Sequence, residues 1–420
     1  MRADLLIHSA AQLLTLASPA GPKRGPAMQD LGIIEDGAAA VADGEIIAVG
    51  TTAELRASVQ ARREINAAGR VVMPGFVDPH THLVFAGSRE DEFELRLKGA
   101  TYMEIMAAGG GIMSTVRRTR AASEEELTAE ALPRLRRMLA HGTTTAEAKS
   151  GYGLTTADEL KMLRVIDRLA QQQPVELVPT FLGAHAVPAE YAGRTDAYVE
   201  LVVGEMLPAA AAYYREQGHP LPFCDVFCEE GVFSLEQSRR ILEAARGMGF
   251  PLKIHVDEFQ PLGGTRLAVE LGAVSADHLV CTPAEEITLL ARSDTIAVSL
   301  PGTPFGLAHP AYTPARAIID QGGALALATD LNPGTCYCES MPFMLALACR
   351  YMKLWPAEAI SAATINAAHA IHMGHRVGSI EAGKQADIII LDLPNYRHLP
   401  YRFGTNPVKM VIKRGQVVLE

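Results

Sequence analysis

The chain has no cysteine before residue 224, and its six cysteines (Cys224, Cys228, Cys281, Cys336, Cys338, Cys349) include no paired Cys-x-x-Cys sites. That argues against a disulfide-stapled scaffold and a structural zinc cluster, so reduced, mostly buried thiols are expected. Long apolar runs are missing too. No stretch reaches the roughly 18–20 residues of a spanning helix, and Asp4, His8 and Gln12 break up the start before a signal core can develop. The chain is read as cytoplasmic, with no membrane partner. A basic surplus is also absent. The formal net charge of -10 disfavours phosphate backbones, which are bound by dense Lys and Arg patches, so nucleic acid is not an expected partner. No internal repeat and no low-complexity tract interrupts the chain, and the Gly109-Gly110-Gly111 run lacks the Gly-Lys-Ser/Thr that a phosphate-binding loop needs. That run is read as a loop near the substrate, with Tyr102 ahead of it as a further candidate contact.

What is present is a composition of 48% hydrophobic and 20% charged residues over 420 positions, enough for a large core and one dominant catalytic domain. The first ~70 residues and the last ~45 share a texture of short apolar runs divided by turn pairs, Asp43-Gly44 near one end and Arg414-Gly415 near the other. One small β domain assembled from both termini is expected, over 1–73 and 375–420. Between them, across 74–374, short apolar or β-branched runs alternate with helical stretches, the pattern of βα units around a parallel sheet. Eight candidate strands lie near 71–78, 142–148, 175–181, 222–228, 251–256, 273–279, 295–300 and 324–330. The intervening segments starting at Ser123 and Ser234 begin like capped helices and end at glycine. The expected fold is α/β: a (β/α)8 TIM-like barrel with a small β-sandwich built from both chain termini.

Barrel enzymes place their chemistry at the C-terminal ends of the strands. His80 and His82 follow the first candidate strand, His185 the third, His255 lies in the fifth, His278 ends the sixth and Asp330 the eighth. In an extended segment residues two apart face the same side, so both imidazoles of His80-Thr81-His82 can enter one site. Alone, such a pair reads equally well as satisfied core or surface histidines. With His255 and Asp330 at corresponding strand ends it becomes three neutral nitrogens and a carboxylate, a set suited to zinc or iron. A metal with open positions lowers the pKa of bound water toward ~7 and supplies a nucleophile. Asp330 can ligate and accept a hydrogen bond from that water, His278 can orient it or stabilise an oxyanion, and Glu258 is placed to carry a proton to a leaving nitrogen. The plain alternatives are a solvated helix-start carboxylate for Glu258 and a capped core histidine for His278.

The Pro74-Gly-Phe-Val-Asp-Pro-His80-Thr-His82 segment, His255, His278 and Asp330 resemble the amidohydrolase superfamily. His80-Thr-His-Leu-Val-Phe-Ala-Gly-Ser-Arg89, Lys149-Ser-Gly-Tyr152-Gly, Phe181-Leu-Gly-Ala-His185, His255-Val-Asp-Glu258 and Thr329-Asp-Leu-Asn332-Pro-Gly334-Thr335 carry the likeness over nearly the whole chain. Within the superfamily they resemble the members that open 4-imidazolone-5-propanoate to N-formimidoyl-L-glutamate in histidine degradation. The resemblance implies a hydrolase of C–N bonds in cyclic amides, working through a metal-activated water, with one zinc or iron ion per subunit in a homodimer. It implies metal ligands His80, His82, His255 and Asp330, and catalytic Glu258, His278 and Asp330. The implied substrate contacts are Arg89, Tyr152, His185, Glu258, Asn332, Gly334 and Thr335. A propionate group calls for a cation, and Arg89 offers a bidentate guanidinium; its plain alternative is a surface ion pair with Glu90 or Asp91. Lys149 ends the second strand, where some relatives use a carboxylated lysine from a different strand to bridge two ions; one ion is expected. A heterocycle deaminase could use the same metal, glutamate and histidine, but a neutral base has no carboxylate to pair with Arg89. A metal-stabilised binding protein would not need both Glu258 and His278.

Overall fold

A strand buried on both faces must be covered on both sides, and eight strands largely of that kind pair in parallel in the computed structural model, which describes residues 1–100, 104 and 110–420. Tyr102 and Gly109 lie outside the described residues. The strands are β1 (Phe76–Asp78), β2 (Thr143–Lys149), β3 (Glu176–Ala184), β4 (Phe223–Cys228), β5 (Lys253–Val256), β6 (Ser275–His278), β7 (Ile296–Ser299) and β8 (Leu325–Leu327). They lie side by side in sequence order, each consecutive pair joined through at least one helix. The two ends of the sheet are stitched together just beyond β1 and β8. Thr81 bridges Leu331 in parallel register, His82 N donates to Leu331 O (2.9 Å), and Asp330 N donates to His80 O (3.1 Å). The Asp78 carboxylate takes both the Thr329 amide (3.0 Å) and its hydroxyl (2.6 Å). The architecture is the expected (β/α)8 barrel.

Helix limits follow local chemistry. Ser123 caps the helix Glu124–Ala140 in a reciprocal capping box with Glu126, and Ser234 does the same with Gln237 for the helix Leu235–Met248, which stops at left-handed Gly249. Most of the expected strands shift by one to three residues at an end, as β3 does by running on to Ala184, and two differ for a reason local to the chain. The run 71–78 is not one strand: Val71–Pro74 pairs with Ile388–Leu391 in an outer sheet, and β1 begins only at Phe76. Pro74 has no N–H to continue a ladder, and at Gly75 the backbone passes so close to Thr144 that a Cβ would come within 2.3 Å of it. The run 324–330 ends as a strand at Leu327, because Asp78 captures Thr329 and Asp330 turns to φ 55.

The termini build two further sheets. One holds Glu45–Thr51, Gly37–Ala42, Arg2–Ala10 and Gln60–Asn66; the other holds Gln416–Leu419, Val408–Lys413, Ile388–Leu391, Val71–Pro74, Gln12–Leu14 and Ile33–Ile34, in those orders. They pack as a β-sandwich through Leu5, Ile7, Val41, Val72, Ile388, Ile390 and Ile412. The opposite face of the second sheet, carrying Val71, Met73, Ile389, Leu391 and Val411, joins the main barrel core. Burial on both faces explains the unbroken Ile-Ile-Ile-Leu of 388–391. Both Asp43-Gly44 and Arg414-Gly415 have positive φ at the two turn positions, as tight hairpin turns require. Among the described residues no helix is long and apolar enough to cross a membrane.

A largely buried carboxylate joins sandwich to barrel. Glu176, opening β3, lies 3.2 Å from Lys413, 3.3 Å from Arg376 and 3.3 Å from Arg414, and accepts from Gln385 Nε2 (2.9 Å). Burial works to raise its pKa, but Lys413, Gln385, Arg376 and Arg414 outweigh it and hold the group at about 2. A carboxylate depressed in the folded state stabilises above its unfolded pKa, and that stabilisation is lost as pH falls through the folded value. Glu176→Gln should therefore cost on the order of 2 kcal/mol at neutral pH, read as a lowered urea midpoint. The gap from the wild type should stay constant between pH 8 and 5 and narrow as pH drops below about 4.5.

Candidate metal centre and substrate pocket

Where β4, β5 and β6 run through the barrel, residues two apart turn the same way, so Asp225, Lys253 with His255, and Ser275 with Asp277 face the interior along with Glu147 and Lys149 of β2. His80 Nδ1 donates to Asp277 Oδ2 (2.7 Å) and His255 Nδ1 donates to Asp225 Oδ1 (3.1 Å). A carboxylate can only accept, so the proton sits on Nδ1 in both rings and each Nε2 presents a lone pair. These lone pairs converge. His80 Nε2 is 3.3 Å from His82 Nε2, His255 Nε2 is 3.5 Å from His82 Nε2, and Asp330 Oδ1 is 3.5 Å from the Nε2 atoms of both His80 and His82. Burial, with the neighbouring cations, pushes His80 and His82 far below the usual histidine pKa, so neither ring gains a proton to relieve the crowding. The atoms of His80, His82 and Asp330 form a triangle close to one face of a tetrahedron whose edges are roughly 3.3 Å and whose corners lie 2.0–2.1 Å from its centre, and His255 Nε2 stands 3.5 Å from its His82 corner. The donor set fits one metal ion.

The floor beneath this cluster was not anticipated. Lys149 Nζ donates to Asp225 (2.6 Å) and Glu147 (2.9 Å), while Lys253 Nζ donates to Glu147 (3.1 Å) and to the carbonyl of Pro79 (2.7 Å), the residue before His80. Burial disfavours the Lys149 charge, but Asp225, Glu147 and Asp277 more than restore it and raise its pKa. Held as an ammonium, Lys149 is not the free amine that carboxylation needs. Glu147 and Asp277 also come within ligand spacing of His80, yet both face the two lysines. The signal was available in the sequence: a charge at alternate positions of an otherwise apolar buried strand must find a partner.

His278 Nε2 lies 3.6 Å from Glu258 Oε2, beside the ring of His255 at 5.2 Å between centroids. Burial, then Asp330 and Glu229, raise the Glu258 carboxyl well above the usual carboxylate range, which favours its protonated form. Asp330 sits at about 6, raised by burial and opposed by the Thr303 hydroxyl, which donates to its second oxygen. Four non-glycine residues here hold positive φ: Asp257 (53°), His278 (80°), Leu279 (61°) and Asp330 (55°). Such backbone costs of order 1–3 kcal/mol each and survives where neighbours pin it. Here Thr265 and Thr282 donate to Asp257 (2.6 and 2.8 Å), and Thr313 donates to the His278 carbonyl (2.6 Å).

His185 stacks on His82 with centroids 4.7 Å apart and donates through Nδ1 to Gly151 O (3.0 Å), leaving Nε2 as an acceptor. Burial lowers its pKa to about 3. Tyr152 stands 5.3 Å from His185 and 5.9 Å from His82. Its turn is shaped by Glu159, also missed in the sequence, whose carboxylate accepts from the amides of Gly151, Gly153 and Leu154. Gly151 is required, with φ 108° and a position where a Cβ would come within 3.0 Å of the His185 ring.

At the rim, Arg89 pairs with Glu92 (2.7 Å) rather than with Glu90 or Asp91, and its guanidinium lies against Gly334, where a Cβ would come within 2.3 Å of Nη1. Arg96, unforeseen from sequence, donates to Gly334 O (3.0 Å). The expected substrate contact from Asn332 meets a different use of its amide. Nδ2 donates to Asp330 O and Thr335 Oγ1, and Oδ1 accepts from the amides of Gly334 and Thr335, so Asn332 shapes the loop that presents Gly334 and Thr335. All twelve expected site residues thus lie around one centre or in the loops at its rim.

Barrel and donor cluster together define a class. The chain belongs to the amidohydrolase family, whose model matches residues 71–418. Among curated relatives, the imidazolonepropionase of Herpetosiphon aurantiacus is 58% identical across 99% of this chain and 97% of its own length. That of Chloroflexus aggregans is 54% identical across 99% and 98%. An adenosine deaminase from Xanthomonas campestris, solved with bound zinc, shares the fold (TM-score 0.72, 23% identity) over 100% of this chain and 93% of its own. Within the amidohydrolases, the chain belongs to the imidazolonepropionases.

Asp225→Asn keeps the shape but lets the side chain donate toward His255, disturbing the tautomer that presents Nε2. Metal affinity should fall on the order of 10–100-fold, measured by competition with a chromophoric chelator; unchanged affinity would refute this account of the floor.

Proposed function

We infer that the protein hydrolyses 4-imidazolone-5-propanoate to N-formimidoyl-L-glutamate, adding water at the ring carbonyl and breaking the adjacent C–N bond. The observation that carries this is the pairing of a buried cluster of three imidazoles and a carboxylate with a rim holding two guanidinium groups, Arg89 and Arg96, about Gly334. A cyclic amide that bears a carboxylate uses both ends of such a site.

His80, His82, His255 and Asp330 would hold one zinc or iron ion, which when bound lowers the pKa of a water toward ~7 and polarises a carbonyl. The residues supply the rest. Asp330, titrating at about 6, accepts the proton of the attacking water. His278, neutral because burial holds its pKa well below 6.5, places Nε2 beside the reacting carbonyl and donates to the oxyanion as it forms. Glu258 starts protonated and gives its proton to the ring nitrogen as the C–N bond breaks. Asp330 returns the water's proton to Glu258 in the next cycle, so no net charge accumulates. His185 and Tyr152, beside His82, orient the ring, and Arg89 pairs with the propionate. The six free thiols suit a reducing cytoplasm, and the family resemblance supports a homodimer.

Metal-loaded protein should consume freshly prepared substrate, followed by its ultraviolet absorbance, and release no ammonia. Protein dialysed against a chelator should lose the activity and regain it with added zinc or iron. Ammonia release with a heterocyclic amine instead would move the assignment to a deaminase. Glu258→Gln should lower kcat by on the order of 10²–10⁴ with metal content intact; full turnover by that variant would remove the proton-transfer role.

A further inference from the structure

We propose that Arg134 is a positioning residue that sets the carboxylate-binding end of the site by locking its two loops to each other. The proposal rests on the reading that Arg89 grips the substrate carboxylate. Arg89 ends an irregular segment, 83–89, that starts just after His82 and has no strand or helix to satisfy its backbone. Side chains do so instead. Arg134, on the helix Glu124–Ala140, donates through Nη1 to both Leu83 O and Phe85 O (2.9 Å each) and lays its guanidinium 3.4 Å over the Phe85 ring. Glu130, one turn earlier, accepts from Arg134 and from the Gly87 amide (3.0 Å). Through Nε, Arg134 also reaches across to the Tyr337 hydroxyl (3.2 Å), two residues beyond Thr335, and Tyr337 packs edge-on against Phe85 at 5.7 Å. Phe85 in turn meets Tyr152 edge-on at 6.4 Å.

One side chain therefore touches the loop of Arg89, the loop of Gly334 and Thr335, and the ring packed on Tyr152. Its side chain is 3% exposed. Burying a guanidinium is costly, and a well-packed apolar residue of similar volume would stabilise the fold at least as well. What an apolar residue lacks is a planar fork of donors that fixes two carbonyls and a hydroxyl at set angles. The fork holds Arg89 and Gly334 at the spacing a carboxylate needs, which is binding energy felt equally in ground and transition states.

The test compares Arg134→Met, Arg134→Lys and Tyr337→Phe with Arg89→Met, on the propionate substrate and on an imidazolone whose side chain ends in a methyl group. Metal content is measured for each protein. Arg134→Met should raise KM for the propionate substrate about tenfold while kcat stays within about threefold, with the methyl analogue unaffected. Arg134→Lys should recover part of the loss. Tyr337→Phe, at a half-exposed side chain, removes a single hydroxyl and should raise KM by about two- to threefold, so it carries the test if Arg134→Met does not fold. Unchanged KM in the folded Arg134 variants and in Tyr337→Phe, with Arg89→Met raised, overturns the proposal alone. Equal losses on both substrates also overturn it, because they mark a merely structural residue. Unchanged KM in Arg89→Met overturns the underlying reading.

Discussion

Everything at the centre depends on the buried ion network of Lys149, Lys253, Glu147, Asp225 and Asp277 at the floor of the barrel. All five side chains are removed from water, and isolated charges there would be prohibitively costly. They persist because each ammonium meets at least two carboxylates within 3.9 Å. Two of those carboxylates have a second partner: Asp277 takes the Nδ1 proton of His80, and Asp225 that of His255. The network thereby decides which nitrogen of each ring faces inward. A barrel filled with aliphatic layers could be as stable, but it would leave both tautomers open and the donor set undefined.

The same residues close the fold. The segments after β1 and β8 that carry His80, His82 and Asp330 are the ones whose backbones bond to each other, through His80 O and Asp330 N and through His82 N and Leu331 O. The hydrogen bonds that finish the barrel thus also set the distance from Asp330 to His80 and His82. Positive φ at Asp330, His278 and Asp257 is the conformational cost of aiming side chains inward from where strands end, and it is held by threonine hydroxyls rather than by repetitive structure.

Chemistry and substrate recognition are built differently. His80, His82, His255, His278 and Asp330 stand on strands or just beyond their ends, where packing leaves little freedom. The rim about Arg89 and Gly334 is made of irregular segments, 83–89 and 331–337, whose shape is imposed by side chains: Arg134 and Glu130 on one, Asn332 on the other. A shared superfamily barrel can in this way serve several substrates by changing its loops without disturbing the metal floor.

Local sequence determined the parts of this protein governed by short-range rules. The strand-helix alternation, the capped starts at Ser123 and Ser234, the Asp43-Gly44 and Arg414-Gly415 hairpins and the His80-x-His82 spacing each follow from periodicity, capping or turn chemistry within a few residues. Strand-end positions gathered His185, His255, His278 and Asp330, with Glu258 just beyond, into one expected site, and the family motifs extended it to Arg89 and Tyr152. Tertiary structure decided what depends on distant partners. It split the run 71–78 at Gly75, because Val71–Pro74 finds its neighbour more than 300 residues away at Ile388–Leu391. It assigned Asn332 to loop geometry, Glu92 as the partner of Arg89, and Glu159 to the Tyr152 turn. It also brought Lys149 and Lys253 under the histidines. A side chain's type is written in the sequence, but its partner across the barrel, and hence its charge state, tautomer and role, exists only once the strands have closed.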